Sequence, residues 1–322
     1  MTTPAGHVAL LATGGTISAG PAGPLNAASL IRLAASGTVG IPADVPIRGE
    51  DVERIPSSRV TVASIERLAK SIRTALQGNG CLGVVVTHGT DTLEEVAFAC
   101  DLIVGDASKP IIFTGAMVPP RDKGTDAHNN LARAIRVAGG ASTTLCGVHV
   151  LMQQSVHAAA EVCKLSTSSV DAFASPHHGP VGWMSDTALE VVRPTPRFDL
   201  TAPRLEPAVD LIRLTAGGGD RLIRVATPNA RGLVIELFGA GNAPEVVHAA
   251  IREAIEAGVV VLACSRVRLG GLTPESGVLE AGAIPTNLDG LKARLLLMAS
   301  LGTGLDADAI RRLVDGPNAP TV

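Results

Sequence analysis

The sequence predicts an α/β protein: a larger N-terminal domain with a mostly parallel sheet flanked by helices, then a smaller C-terminal α/β domain. Three observations carry that expectation. Short apolar runs alternate with longer amphipathic ones, the pattern of strands and helices that builds a parallel sheet. A proline-rich stretch interrupts the alternation once. Hydrophobic residues make up 46% of 322 positions, enough for two cores and too many for disorder.

The elements follow in order. HVALLAT (7–13) reads as a buried strand, and AASLIRLAAS (27–36) and TVASIERLAKSIRTALQ (61–77) as helices. LGVVVTH (82–88) is the next strand. TLEEVAFACDLIV (92–104) is a helix whose opening Thr92-Leu-Glu-Glu95 fits a capping box, with Glu95 reaching back to Thr92. PIIFTG (110–115) and CGVHVLM (146–152) are further strands, and NNLARAIRVAG between them is a helix with Gly139 at its C-terminal cap. Prolines at 194, 196, 203 and 207 disfavour a helix or central strand, so residues 191–210 are read as the linker between domains 1–190 and 211–322. Beyond it the alternation resumes through LIRV, GLVIELFGAGN, the helix PEVVHAAIREAIEAG, the strand VVVLACS and the helix LDGLKARLLLMASLG.

Composition narrows the function. A net charge of −3 leaves no basic footprint for nucleic acid, and no positive run faces an acidic membrane. The five cysteines are scattered, without CxxC spacing, which points to neither a disulfide framework nor a zinc site and is simplest in a reducing compartment. MTTPAGHVA lacks the charged-then-apolar form of a signal peptide, and no window is long and apolar enough to span a bilayer. A cytoplasmic protein is therefore expected.

Chemistry is expected where parallel strands end. The first strand ends in Thr13-Gly14-Gly15-Thr16, the second long one in Thr87-His88-Gly89-Thr90-Asp91-Thr92, and the third in Thr114-Gly115. Glycine lets backbone N–H groups approach a ligand closely, as an oxyanion requires. A lone TGGT turn also reads as plain structure, and Asp91 alone could serve only the helix dipole. There is no GxxxxGK[ST] or GxGxxG for a nucleotide, no GxSxG elbow and no HExxH, and His177-His178 reads as a loop feature. A threonine hydroxyl needs a base to become a nucleophile. Asp91 stands beside Thr90, and Lys164 in EVCKLSTSS either sits solvated or, if buried near both, relays a proton.

LLATGGTISAG (10–20) and VVVTHGTDTLEE (84–95), in this order and spacing, resemble the two signature stretches of the bacterial-type L-asparaginase/glutaminase family. The likeness continues through IFTGAMVPP, EVCKLSTSSVDAFASP, GPVG and GAGNAPE, so it covers nearly the whole chain. It implies hydrolysis of the side-chain amide of L-asparagine, with glutamine as a side activity, without metal or cofactor. It makes Thr16 the nucleophile on a mobile loop, and Thr90, Asp91 and Lys164 a second catalytic group, Asp91 also gripping the α-amino group. Ser57, or Ser58 if the alignment slips by one, would hold the amino-acid end, and backbone around Gly15, Gly89 and Thr90 would line the substrate. It further implies a homo-oligomer, a dimer of dimers with shared sites, in which Asn242 reaches across and Glu275 or Glu280 is the candidate acidic contribution. One departure stands out: many members carry a loop tyrosine, and this chain has none, with Leu25 near the expected place. That keeps a non-catalytic amino-acid sensor in play beside the hydrolase. An amidotransferase subunit feeding a tRNA-linked substrate is the remaining alternative.

Overall fold

The run HVALLAT forms the strand His7–Ala12, all six residues buried, because it lies in the interior of a sheet with helices on its faces. The computed structural model describes residues 6–141 and 145–316. It divides into two compact units, Met1–Thr195 and Pro196–Val322.

The first unit is built on an eight-stranded sheet. Its parallel part runs Ile47–Asp51, His7–Ala12, Cys81–Thr87, Pro110–Thr114, Gly147–Met152 across the sheet. Three short antiparallel strands, Ser155–Ala158, Gly182–Met184 and Leu189–Val191, extend the far edge. The chain order of the parallel strands is therefore 2-1-3-4-5. The order reverses between His7–Ala12 and Cys81–Thr87, and ligands of such sheets bind at the carboxyl ends beside that reversal. Those two strands pair with Ala12 opposite Thr87, so the two glycine–threonine loops leave the sheet side by side.

Helices α1 (Ala27–Ala35), α2 (Val62–Gln77), α3 (Leu93–Val104) and α4 (Ala127–Arg136) connect the parallel strands. Two of the starts are fixed by side-chain caps: Asn26 accepts from Ser29 N–H at 2.8 Å, and Thr61 from Ser64 N–H at 3.2 Å. The Thr92 hydroxyl does not make its half of the capping box expected at α3. Thr92 occupies the N-cap, but its hydroxyl donates instead to the Ser57 carbonyl at 3.0 Å. Nor does Gly139 cap α4: the chain continues from Arg136 into a π-turn over Val137–Ala141, with Gly140 at φ +107°.

The second unit holds a four-stranded parallel sheet ordered Val209–Arg213, Gly232–Leu237, Val260–Ser265, Ile284–Pro285. The helices Glu245–Glu256 and Gly290–Thr303 belong to it. The proline-rich stretch carries no helix or strand between Val191 and Val209. The alternation resumes earlier than LIRV, however, at the strand Val209–Arg213, and LIRV itself lies in the short helix Arg221–Ala226. Among the described residues, no helix is long and apolar enough to cross a membrane and no cysteine pairs in a disulfide.

One buried group makes stability depend on pH. His157, on Ser155–Ala158, has Nδ1 2.9 Å from Ser175 Oγ, and its Nε2 has no partner among the described residues. Burial, and then the charge of Arg193, lower its pKa from 6.5 to about 4. The unfolded chain thus binds a proton that the folded chain refuses, so stability is full above pH 6.5 and is lost as pH falls towards 4. The loss has an upper bound of about 3 kcal/mol. His157→Gln is expected to flatten the difference in denaturant-unfolding free energy between about pH 7 and about pH 4.5. An unchanged slope would show that His157 titrates normally.

Candidate active site

The first strand delivers its TGGT turn against the second motif through backbone contact. Thr13 N–H and Oγ1 both donate to the Thr87 carbonyl, at 3.2 and 2.8 Å. Gly15, at φ +82°, lies so close to the other loop that a Cβ there would sit 2.2 Å from Gly89 Cα. A Cβ on Gly89 would in turn sit 2.5 Å from Ser57 Oγ. The two motifs touch only because both positions are glycine. Not every hydroxyl expected at this edge is available: Thr13 is spent on Thr87, and Thr114 Oγ1 donates to the Leu151 carbonyl at 2.8 Å.

Beside the TGGT turn is a cavity of about 320 Å³. Gly15, Thr16, Ser18, Pro24, Arg54, Ser57 and Asp91 are among its lining residues. Thr16 begins a 3-10 turn, Thr16–Ser18, and its hydroxyl bonds to no described residue. The loop then folds into a small hairpin, Ala19–Gly20 against Gly23–Pro24, before α1. Leu25, expected near the place of an aromatic lid, packs on the core; Ala19 and Pro24 are the apolar residues lining the cavity from this loop.

Thr90, Asp91 and Lys164 come together although 74 positions separate the first from the last. Lys164 Nζ donates to Thr90 Oγ1 at 2.9 Å and lies 3.7 Å from Asp91 Oδ1. Thr90 is buried, the Lys164 side chain is 19% exposed, and the Asp91 side chain is 64% exposed. Lys164 is thus not a solvated surface charge. Its position is fixed by a residue the sequence reading passed over: buried Glu94, in the first turn of α3, accepts the Lys164 backbone N–H at 2.6 Å. A carboxylate in a helix apolar on nearly every face was the available signal, since such a group is buried only with partners.

Ser57 is buried, and its Oγ accepts from Asp91 N–H at 3.3 Å, whereas Ser58 is exposed and does not line the cavity. The Gly89 and Thr90 amides donate to no described backbone group, and neither these two residues nor Lys164 are among those lining the cavity. Buried His88 is pushed below the ordinary histidine pKa, chiefly by desolvation, and its Nδ1 lies 2.8 Å from the Gly89 carbonyl. His178 Nδ1 pairs with Glu161 at 3.1 Å, and no group of described residues could hold a metal ion. Asn242 lies in the second unit, exposed and bridged antiparallel to Phe238, and Glu275 and Glu280 are exposed there too.

A family profile described as "Asparaginase, N-terminal" matches residues 7–197, and one described as "Glutaminase/Asparaginase C-terminal domain" matches residues 208–314. The chain belongs to the asparaginase/glutaminase family. It is 34% identical to a probable L-asparaginase of Deinococcus radiodurans over 320 residues, covering 95% of this chain and 96% of that one. With L-asparaginase 2 of Bacillus subtilis the identity is 31% over 323 residues, covering 95% and 85%. The crystal structure of a probable cytoplasmic L-asparaginase from Campylobacter jejuni superposes with a TM-score of 0.84 at 30% identity, over 96% of this chain and 99% of that one. This family member is an asparaginase-type amidohydrolase, and its cavity stands where the sheet order of the first unit reverses.

Proposed function

We propose that the protein hydrolyses the side-chain amide of L-asparagine to L-aspartate and ammonia, with Thr16 as nucleophile. The observation that carries the reading is the contact of Lys164 with Thr90 and Asp91 next to a cavity that Thr16 lines. A hydroxyl, a cation and a carboxylate in that arrangement supply proton transfer.

In the proposed reaction Thr16 Oγ attacks the amide carbon. Negative charge gathers on the carbonyl oxygen, and the Gly89 and Thr90 amides are the donors suited to hold it. The carbon–nitrogen bond then breaks as the nitrogen takes a proton, and ammonia leaves a β-aspartyl ester on Thr16. Water opens that ester, aspartate departs and Thr16 recovers its proton. Thr90 and Lys164 pass protons during these steps, with Asp91 stabilising the ammonium of Lys164. Asp91 also takes the substrate α-ammonium, and Ser57 and Gly15 help hold the substrate. The chemistry calls for no metal or cofactor.

The proposal places catalysis in residues 1–190, joined by 191–210 to the smaller domain 211–322, in a cytoplasmic enzyme. It includes a dimer of dimers with shared sites, to which exposed Asn242 contributes. A monomer fully active in dilute solution would contradict the shared site. Ammonia release tests the reaction: wild type is expected to liberate ammonia from L-asparagine and form aspartate in equal amount. Binding of asparagine without ammonia release would sink the hydrolase reading and leave an amino-acid sensor.

A further inference from the structure

Two charged residues line the cavity among those described, the cation Arg54 and the anion Asp91. A free amino acid carries the opposite pair, an α-ammonium and an α-carboxylate. With Asp91 given to the ammonium, the carboxylate still lacks a counter-charge. We propose that Arg54 binds the α-carboxylate of the substrate and thereby selects free amino acids over amides that lack this group. The proposal rests on the amide-hydrolysis reading of the cavity.

The backbone around Arg54 is anchored to the nucleophile loop. Val52 and Glu53 N–H groups donate to the Ala12 carbonyl at 3.0 and 3.2 Å, and Ile55 N–H donates to the Thr13 carbonyl at 3.3 Å. Gly14, at φ +100°, permits the approach, since a Cβ there would lie 2.7 Å from the Ile55 carbonyl oxygen. Arg54 therefore leaves a backbone pinned on both sides of it.

The side chain is oriented as well. Arg54 Nη2 donates to Asp51 Oδ2 at 2.7 Å, and Asp51 Oδ1 accepts from the Ala27 N–H at 2.9 Å. Asp51 is thus held at both oxygens, between Arg54 and the first residue of α1. A guanidinium has five N–H donors, and Asp51 engages one nitrogen, so the rest of the planar fork remains for a carboxylate. At 48% side-chain exposure, the pair with Asp51 contributes little stability by itself. Its effect is to restrain the guanidinium.

Kinetics with L-asparagine test this. Arg54→Ala is expected to raise KM at least about tenfold while kcat changes less than about threefold, and Arg54→Lys to recover part of the loss. A KM within about twofold of wild type, or a loss confined to kcat, would overturn the proposal; the latter is what a displaced Thr16 loop would give. The inhibition constant of 3-aminopropanamide, which is asparagine without its carboxylate, is expected to be the same for wild type and Arg54→Ala. Equal weakening of both compounds would overturn the assignment. If wild type releases no ammonia, the hydrolase reading fails by itself. Calorimetric titration with L-aspartate then decides on Arg54: a tenfold weaker affinity in Arg54→Ala supports it, and unchanged affinity or no binding to wild type ends it.

Discussion

Thr90→Ala and Lys164→Ala are each expected to lower kcat for ammonia release at least about 10²-fold, the scale of losing an acid–base or oxyanion partner. The reason lies in their geometry. Lys164 Nζ and Thr90 Oγ1 are 2.9 Å apart in a partly buried setting, so in the proposed reaction removing either interrupts the proton transfer between them. Because they act as one unit, the double variant is expected to lose no more than about threefold beyond the worse single one. Additive losses would mean that the two work independently. A tenfold or smaller loss in Lys164→Ala would return that residue to a structural role, holding the Cys163–Lys164 strand beside Glu94.

Gly15→Ala is expected to have the second large effect, on both stability and rate. Its φ of +82° with ψ of −173° is a conformation essentially confined to glycine and costs a residue with a Cβ about 1–3 kcal/mol. The added methyl would also meet Gly89 Cα at 2.2 Å, backbone against backbone, with no flexible side chain to yield. The two loops must separate, and displacement of reacting groups by about 1 Å costs on the order of 10²-fold in rate. Thermal unfolding and ammonia release measured together check this. A Gly15→Ala protein with wild-type melting temperature and activity would show that the loops are not locked against each other.

Strands such as His7–Ala12 were legible because six consecutive buried residues leave an unbroken apolar run, and α1 and α2 were legible because their longer runs are amphipathic. The misreading of Thr92 and the blindness to the Lys164 environment share one cause, contacts between distant residues. Thr92 looked like a capping residue, but its hydroxyl bonds to Ser57, 35 positions away, and no local pattern reports that. The environment of Lys164 was unreadable for the same reason: its partners Thr90 and Glu94 lie 74 and 70 positions away. Asp51 and Arg54 attracted no notice in the sequence, since an ion pair three apart resembles any solvated surface pair until the cavity beside it is seen. The pairing of the two motifs, in contrast, followed from their place at the ends of parallel strands. The Gly15–Gly89 contact is what turns that adjacency into one site.

In the proposed reaction Thr16 attacks the amide and carries the acyl group. Rapid acid quench of the protein with excess L-asparagine, followed by peptide mapping by mass spectrometry, tests it most directly. An aspartyl ester is expected on the peptide containing Thr16 and absent from Thr16→Ala, which is also expected to release no ammonia above background. Ammonia release at wild-type rate by Thr16→Ala, or an ester found on Thr90 instead, would contradict it.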